Sequence, residues 1–464
     1  MRLENCVTST EDNVYAIKNI PTEVVGTVFA KVSRSPYSFR ESLYDLIKED
    51  TLQLPDVDMI SMWKQSAVYS GGFMKEWEAR YGHPSIREHA VAQFCIEGVS
   101  RWFTEVLETV QAAKWLSFTE FNMQNQKSQA FVIPKELDDH PTLKERYIRF
   151  GEECFEKYEE LIPLFVDVIK KRNPDRKDGD IEKLAYEKAR NVLPLAAKSN
   201  VAVTGNARAI SDAIAEMLAH EGYSQEVVET AAKIRAHTAE VLPSLLRDTE
   251  ATPYLRSYTA EFYKRRTSHV DILPVYNGPF VEVEDAVGLS CTHARDIVLG
   301  DMTEMNRFSE LPTVMRAFGK PVAITCSQGC HHQIIRHRAF DFSLQLPDTY
   351  YGLIIPSEAA EASDIPEAER IFDILLSMRD QSHQLYNELV GAGLSGIAPY
   401  VVLNANARRL PLYANLYGLS HFVTLRKEVY AQDEIRSVAS QLERVFQEEE
   451  QALSGFTMDR HHIK

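Results

Sequence analysis

The sequence is poor in cysteine, with six in 464 residues (Cys6, Cys95, Cys154, Cys291, Cys326 and Cys330). That is too few to staple a fold of this length and points to a reducing, cytoplasmic setting. An excess of basic charge is also missing. The 51 Lys and Arg stand against 67 Asp and Glu, a net charge of −16, which excludes a general nucleic-acid surface, because such surfaces neutralise phosphates with surplus cations. An anionic ligand therefore needs a local basic pocket. Long apolar runs are absent too: stretches such as 352–356 and 397–403 fall far short of the ~20 residues that cross a bilayer, and the first residues mix Arg, Glu and Asp. No membrane segment and no targeting signal is expected. Cys326 and Cys330, followed by His331 and His332, make half of a zinc site at most, and no second ligand pair has matching spacing, so no metal is expected.

What is present is an ordinary globular composition, 44% hydrophobic and 25% charged, enough for large cores. The length calls for more than one domain. Over 141–171 apolar residues recur at Phe150, Cys154, Tyr158, Leu161, Phe165 and Ile169, a helical stripe that Asn173-Pro174 ends. Segments 181–193, 207–219 and 225–246 continue in that style, while 90–96 and 321–326 read as strands. The fold class is α+β, rich in helix.

The helical pattern breaks at Thr252-Pro253 and again over 273–279, after which the chain repeats its earlier order. A loop-like stretch ending at Pro134 corresponds to one ending at Pro356, each after a strand and before a long amphipathic helix. TGNARAISDAI around Asn206 likewise corresponds to YANLYGLSHFV around Asn415. This predicts two units in tandem, 1–262 and 263–464, each a small antiparallel or mixed sheet packed with long helices.

The most unusual cluster is QIIRHRAF, in which Arg336, His337 and Arg338 crowd three potential cations beside apolar residues. Such cations repel one another unless they face solvent or an anion, and paired arginines suit a pyrophosphate or a flavin carbonyl. With Gln333 three residues earlier, the cluster resembles the opening of the RHRxxSxNExSxRY signature of the flavin-dependent thymidylate synthases. The resemblance extends to both halves. GHPSIREH, with His83 and Ser85, resembles that family's GHxSxxEH stretch; Asn206-Ala207-Arg208 resembles its flavin-contacting Asn-x-Arg turn; and Ser33 resembles an early serine beside the flavin. Arg409 and Arg426 fall on two arginines that contact the nucleotide in that family.

The resemblance implies reductive methylation at carbon 5 of a uracil nucleotide (dUMP to dTMP type), with methylenetetrahydrofolate as carbon donor, FAD as hydride carrier and NADPH as reductant. Arg426 would stabilise negative charge on the pyrimidine, and Arg409 with Lys127 and Asn125 would meet the phosphate. Ser33, His83, Ser85, Asn206, Arg208, Arg336, His337 and Arg338 would hold FAD, and Gln333 the nucleotide. Family members are homotetramers, so a chain with two units implies a homodimer of pseudo-tetrameric symmetry whose sites the two halves share. The departures are marked. The signature's later positions become Asp341, Ser343, Leu344, Leu346 and Asp348, a loop expected to present carboxylates where a phosphate would lie, and Asn200 and Met217 stand at the nucleotide arginines of the first half. A flavin enzyme for a different pyrimidine nucleotide and a non-catalytic binding or scaffold protein remain the alternatives.

Overall fold

A computed structural model describes residues 3–20, 38–48, 84–120, 130–243, 245–264, 273–283, 319–362, 365–429 and 431–449, with a few isolated positions besides. By contacts the chain forms two compact units. The first comprises Met1–Glu152, Pro194–Lys264 and Asn387–Val401; the second comprises Glu153–Leu193, Arg265–Tyr386 and Val402–Lys464. The chain thus passes between units several times, one passage falling at Lys264 and Arg265.

In unit 1, β1 (Val14–Ala16), β2 (Val91–Ser100), β3 (Leu116–Glu120) and β4 (Lys198–Asn206) form an antiparallel sheet in the order β1-β2-β4-β3. Helix α1 (Arg101–Thr109) follows β2, α2 (Ala207–Leu218) follows β4, and α3 (Gln225–Val241) comes next. In unit 2, β5 (Phe280–Val283), β6 (Gly319–Ser327), β7 (Asp341–Phe342) and β8 (Ala407–Asn415) form a second antiparallel sheet, in the order β5-β6-β8-β7. Helix α4 (Gln328–Ile334) follows β6, α5 (Leu416–Arg426) follows β8, and α6 (Asp433–Glu449) comes next. Small antiparallel sheets packed with helices make this an α+β protein. The helix expected from the stripe at 150–169 runs from Pro141 to Arg172 and stops just before Asn173-Pro174.

The unit 2 core shows why these segments take these forms. Strand β8 alternates: Leu410, Leu412 and Ala414 are buried in the core, while Arg409, Pro411 and Tyr413 between them are only half-buried, as period two requires. Helix α6 buries Ile435, Val438, Ala439, Leu442 and Phe446 in the same core, the spacing of one helical face. Side-chain caps mark where strand gives way to helix. Asn206 and Asn415 accept the amides of Ala209 (2.9 Å) and Gly418 (2.7 Å), and Ser100 and Ser327 accept those of Phe103 (2.9 Å) and Cys330 (3.1 Å).

A carboxylate clamps each serine. Glu226, second residue of α3, accepts Ser100 N at 2.8 Å and Ser100 Oγ at 2.6 Å. Glu434, second residue of α6, accepts Ser327 N at 2.7 Å and Ser327 Oγ at 2.6 Å. Burial raises the pKa of both carboxyls, opposed by these same bonds. Ser327→Ala removes a cap and leaves a Glu434 oxygen short of a donor, so it should cost about 2 kcal/mol in urea unfolding. Ser100→Ala should cost less, because the Tyr400 hydroxyl still donates to Glu226 Oε2. Losses below about 0.5 kcal/mol for both would show that the clamps do not hold the units.

Candidate functional site

The turn after α4 sets the cluster residues on opposite sides. His337 N donates to Ile334 O, Arg338 N to Arg336 O and Phe340 N to His337 O, and in this tight coil Arg336 and Arg338 are exposed while His337 is buried. The imidazole packs edge-on against Phe422 at a centroid distance of 4.7 Å. Arg426, the last residue of α5, donates Nε to His337 Nε2 over 2.8 Å. That bond needs an unprotonated Nε2, which places the ring proton on Nδ1. Burial, followed by the charges of Arg426, His421 and Arg336, holds the His337 pKa well below its ordinary value. Burial and Arg336 likewise lower the pKa of Arg426, but a guanidinium stays charged. Arg426 is half-buried and has no carboxylate partner among the described residues. Gln333 in α4 donates Nε2 to Oε1 of Gln432, just before α6. Two stretches far apart in sequence, 333–338 and 426–432, thus meet in unit 2.

Arg409 is not part of that meeting. It lies on the sheet face opposite Leu410 and Leu412, with Nη2 3.7 Å from a Glu282 carboxylate oxygen. The expectation that both loop carboxylates are presented also needs correction. Asp341 is exposed, but Asp348 is buried and its Oδ1 accepts Tyr350 N at 2.9 Å, a turn that uses up one of its oxygens locally.

In unit 1, Asn206 caps α2 and Arg208 Nη1 lies 2.7 Å from Glu88 Oε1. Ala207 N donates to Ala90 O at 2.8 Å. The short 3-10 helix Pro84–His89, which carries Ser85, is therefore tied to the start of α2. Ser33, His83, Asn125 and Lys127 lie outside the described residues. Asn200 accepts Gly98 N at 2.7 Å, and Met217 is buried.

Unit 2 also holds a cavity of about 350 Å³ that the sequence reading missed. Lys188, Arg190, Gly329, Cys330, Asn404 and Glu434 are among its lining residues. Lys188 is buried and lies 3.0 Å from Glu358 and 3.5 Å from Asp433. Its burial, which lowers the pKa, is outweighed by those two carboxylates, which raise it. Arg190 also lines the cavity but has no ion pair within 4 Å among the described residues; burial lowers its pKa, opposed by the more distant Glu187, Tyr158 and Glu434. The signal was there in sequence as two cations just ahead of Val192-Leu193-Pro194, inside a helix read only for its periodicity. Among the described residues no group of three or more His, Cys, Asp or Glu side chains is placed to hold a metal, and no helix is long and apolar enough to cross a membrane.

Comparison with known proteins bears on both units. The family model described as thymidylate synthase complementing protein matches residues 27–244 and 313–450, well over half of the chain. A UPF0159 protein of Chlamydia muridarum is 22% identical over 493 residues, covering 94% of this chain and 90% of its own length. A flavin-dependent thymidylate synthase of Mycobacterium avium is 30% identical over 170 residues, covering 36% of this chain and 66% of the relative. The probable flavin-dependent thymidylate synthase of Mycobacterium phage D29 is 32% identical over 186 residues, covering 37% and 70%. A solved UMP/dUMP methylase, PolB from Streptomyces cacaoi, is 16% identical, with 41% of this chain and all of that chain covered, at a TM-score of 0.30 that is too low to bear on the fold or the site. The chain belongs to the thymidylate synthase complementing protein family.

Proposed function

We propose that this protein is a flavin-dependent enzyme that methylates a uracil nucleotide at carbon 5, drawing the carbon from methylenetetrahydrofolate and its reducing power from NADPH. The observation that carries this reading is Arg426, a half-buried guanidinium held by the neutral His337 and left without a carboxylate partner among the described residues. An uncompensated buried charge is costly, and an anionic ligand offsets that cost. Arg426 is suited to negative charge developing on a pyrimidine ring, in a site partly shielded from water.

FAD is the cofactor that family membership brings, and this chain's donors fit it. Arg336 and Arg338 present two exposed guanidinium groups on one tight turn, the donor chemistry a pyrophosphate or a flavin carbonyl requires. Asn206 and Arg208, at the start of α2, with the segment carrying Ser85 tied beside them, make the corresponding set in unit 1. The cofactor supplies hydride transfer, and the protein supplies position and charge. Gln333, fixed by Gln432, orients the nucleotide. The two units, with the same strand order, the same caps and the same serine clamp, are read as copies of one family-like unit.

The purified protein should carry a flavin band, and Arg338→Ala or Arg208→Ala should each weaken FAD binding by on the order of tenfold, the loss of a charge-assisted contact. A colourless protein that takes up no added FAD refutes the reading. Calorimetry with dUMP and UMP on the flavin-loaded protein should show binding that weakens by about 2–5 kcal/mol in Arg426→Ala. An unchanged affinity would remove Arg426 from the site.

The His337 tautomer makes a separate, sign-definite prediction. Because its folded pKa is depressed, the unfolded chain takes up a proton first as the pH falls through about 6.5. Stability is therefore full above that pH and declines below it. Melting temperature should fall between about pH 7.5 and 5.5, and His337→Phe should fall less. His220, held down to about 4 by burial, acts with the same sign in both proteins and cancels in the comparison. Equal pH slopes in the two proteins would mean that His337 is not held neutral.

A further inference from the structure

The two units can be matched position by position through their backbone hydrogen bonds. Arg101 N donates to Ala197 O in unit 1 as Gln328 N donates to Asn406 O in unit 2, and Trp102 N donates to Leu195 O as Gly329 N does to Asn404 O. Ala196 N donates to Tyr400 O as Ala405 N does to Asn191 O. The serine caps extend the match by one residue, from Phe103 to Cys330. Four unit 2 positions that line the 350 Å³ cavity are thus Asn191, Gly329, Cys330 and Asn404, and unit 1 has Tyr400, Trp102, Phe103 and Leu195 there. All four of these unit 1 side chains are buried. The cations change as well. Counting back from Asn191 and Tyr400, Arg190 and Lys188 correspond to Pro399 and Ile397.

The filling is tied down chemically. Tyr400 donates its hydroxyl to Glu226 Oε2 and lies 3.2 Å from Ser224 Oγ. The clamp carboxylate of unit 1 thus has an aromatic donor where that of unit 2 faces the cavity and the charges of Lys188 and Arg190. Asn191 is too short for that role and turns its Nδ2 to Lys188 O at 2.9 Å. Among the described residues unit 1 has a hollow of about 390 Å³ elsewhere, lined by Glu226 with Lys135, Lys198 and Lys233 and by none of Trp102, Phe103, Leu195 and Tyr400.

We infer that the cavity of unit 2 is a ligand pocket and that Trp102, Phe103, Leu195 and Tyr400 plug the equivalent place in unit 1. The open positions decide where a ligand goes. An added Cβ at Gly329 would meet nothing closer than 3.7 Å, ordinary van der Waals contact, so a side chain can start here without a clash, at the wall of the cavity. Arg426 and Gln333 do not line the pocket themselves, but Gln432, which accepts from Gln333, and Cys330, within electrostatic reach of Arg426, both do. On the reading of function proposed above the occupant is therefore the uracil nucleotide, and the expected stoichiometry is one per chain.

The test builds the plug of unit 1 into unit 2. Calorimetry with UMP on the full-length, flavin-loaded protein should give one equivalent per chain. Gly329→Trp and, separately, Asn191→Tyr should weaken it at least tenfold, while Tyr400→Asn should add no second equivalent. Two equivalents in the parent, or unchanged affinity in both plugged variants, overturns the inference. If UMP does not bind the parent at all, the proposed function fails, and melting temperature alone then decides the inference. A free pocket accepts the new ring, so at least one plugged variant should melt within about 2 °C of the parent, whereas Trp102→Gly, which empties a filled site, should lose about 10 °C. Losses in both plugged variants as large as that of Trp102→Gly would show that the space in unit 2 is not open.

Discussion

Each unit turns on one half-buried carboxylate. Glu434 sits at two helix starts at once, as the second residue of α6 and as acceptor for the amide and hydroxyl of Ser327, which caps α4. Both helix N-termini carry partial positive charge, which offsets part of the cost of burying a carboxylate. Burial still raises its pKa. The clamp acts by position. It fixes the first residues of α4, Gly329 and Cys330, which line the cavity, and the start of α6, beside which Gln432 holds Gln333. From Gln333 the chain runs directly into the turn that buries His337 against Phe422 and brings it to Arg426.

Much of the scaffold was legible because its signals are local. A stripe of apolar residues at helical spacing and a terminal Asn-Pro sufficed for the helix ending at Arg172, and short apolar runs sufficed for the central strands. The clamp was not legible, because Ser100 and Glu226 lie 126 residues apart and Ser327 and Glu434 lie 107 apart; no periodicity links them. Asp348 shows a different limit. Counting charge along a loop says nothing of direction, and the side chain turned inward to serve Tyr350 N. The face on which Arg409 lies was within reach of a stricter reading. Leu410 and Leu412 mark the core face of β8, and period two sends their odd-numbered neighbour to the opposite face. The signature residues were found by resemblance, whereas Lys188 and Arg190 had only position to offer, inside a segment read for its helical periodicity alone.

Charge arrangement matters to unit 2 as much as its fold does. In a chain of net charge −16, a cation left without a carboxylate is an arrangement the sequence must maintain, since acidic partners are plentiful. Lys188 and Arg208 have such partners at about 3 Å, and Arg409 has one at 3.7 Å. Arg426 and Arg190 have none within 4 Å among the described residues, and both belong to unit 2. On the reading of the units as copies, the positions matching them in unit 1 are Met217, buried, and Pro399. A neutral imidazole is the right companion for such a cation, because it fixes Arg426 in place without cancelling its charge, as a carboxylate would. Depressing the His337 pKa and keeping Arg426 available to an anion are therefore one requirement, met by burying the ring against Phe422 beside a charge that opposes its protonation.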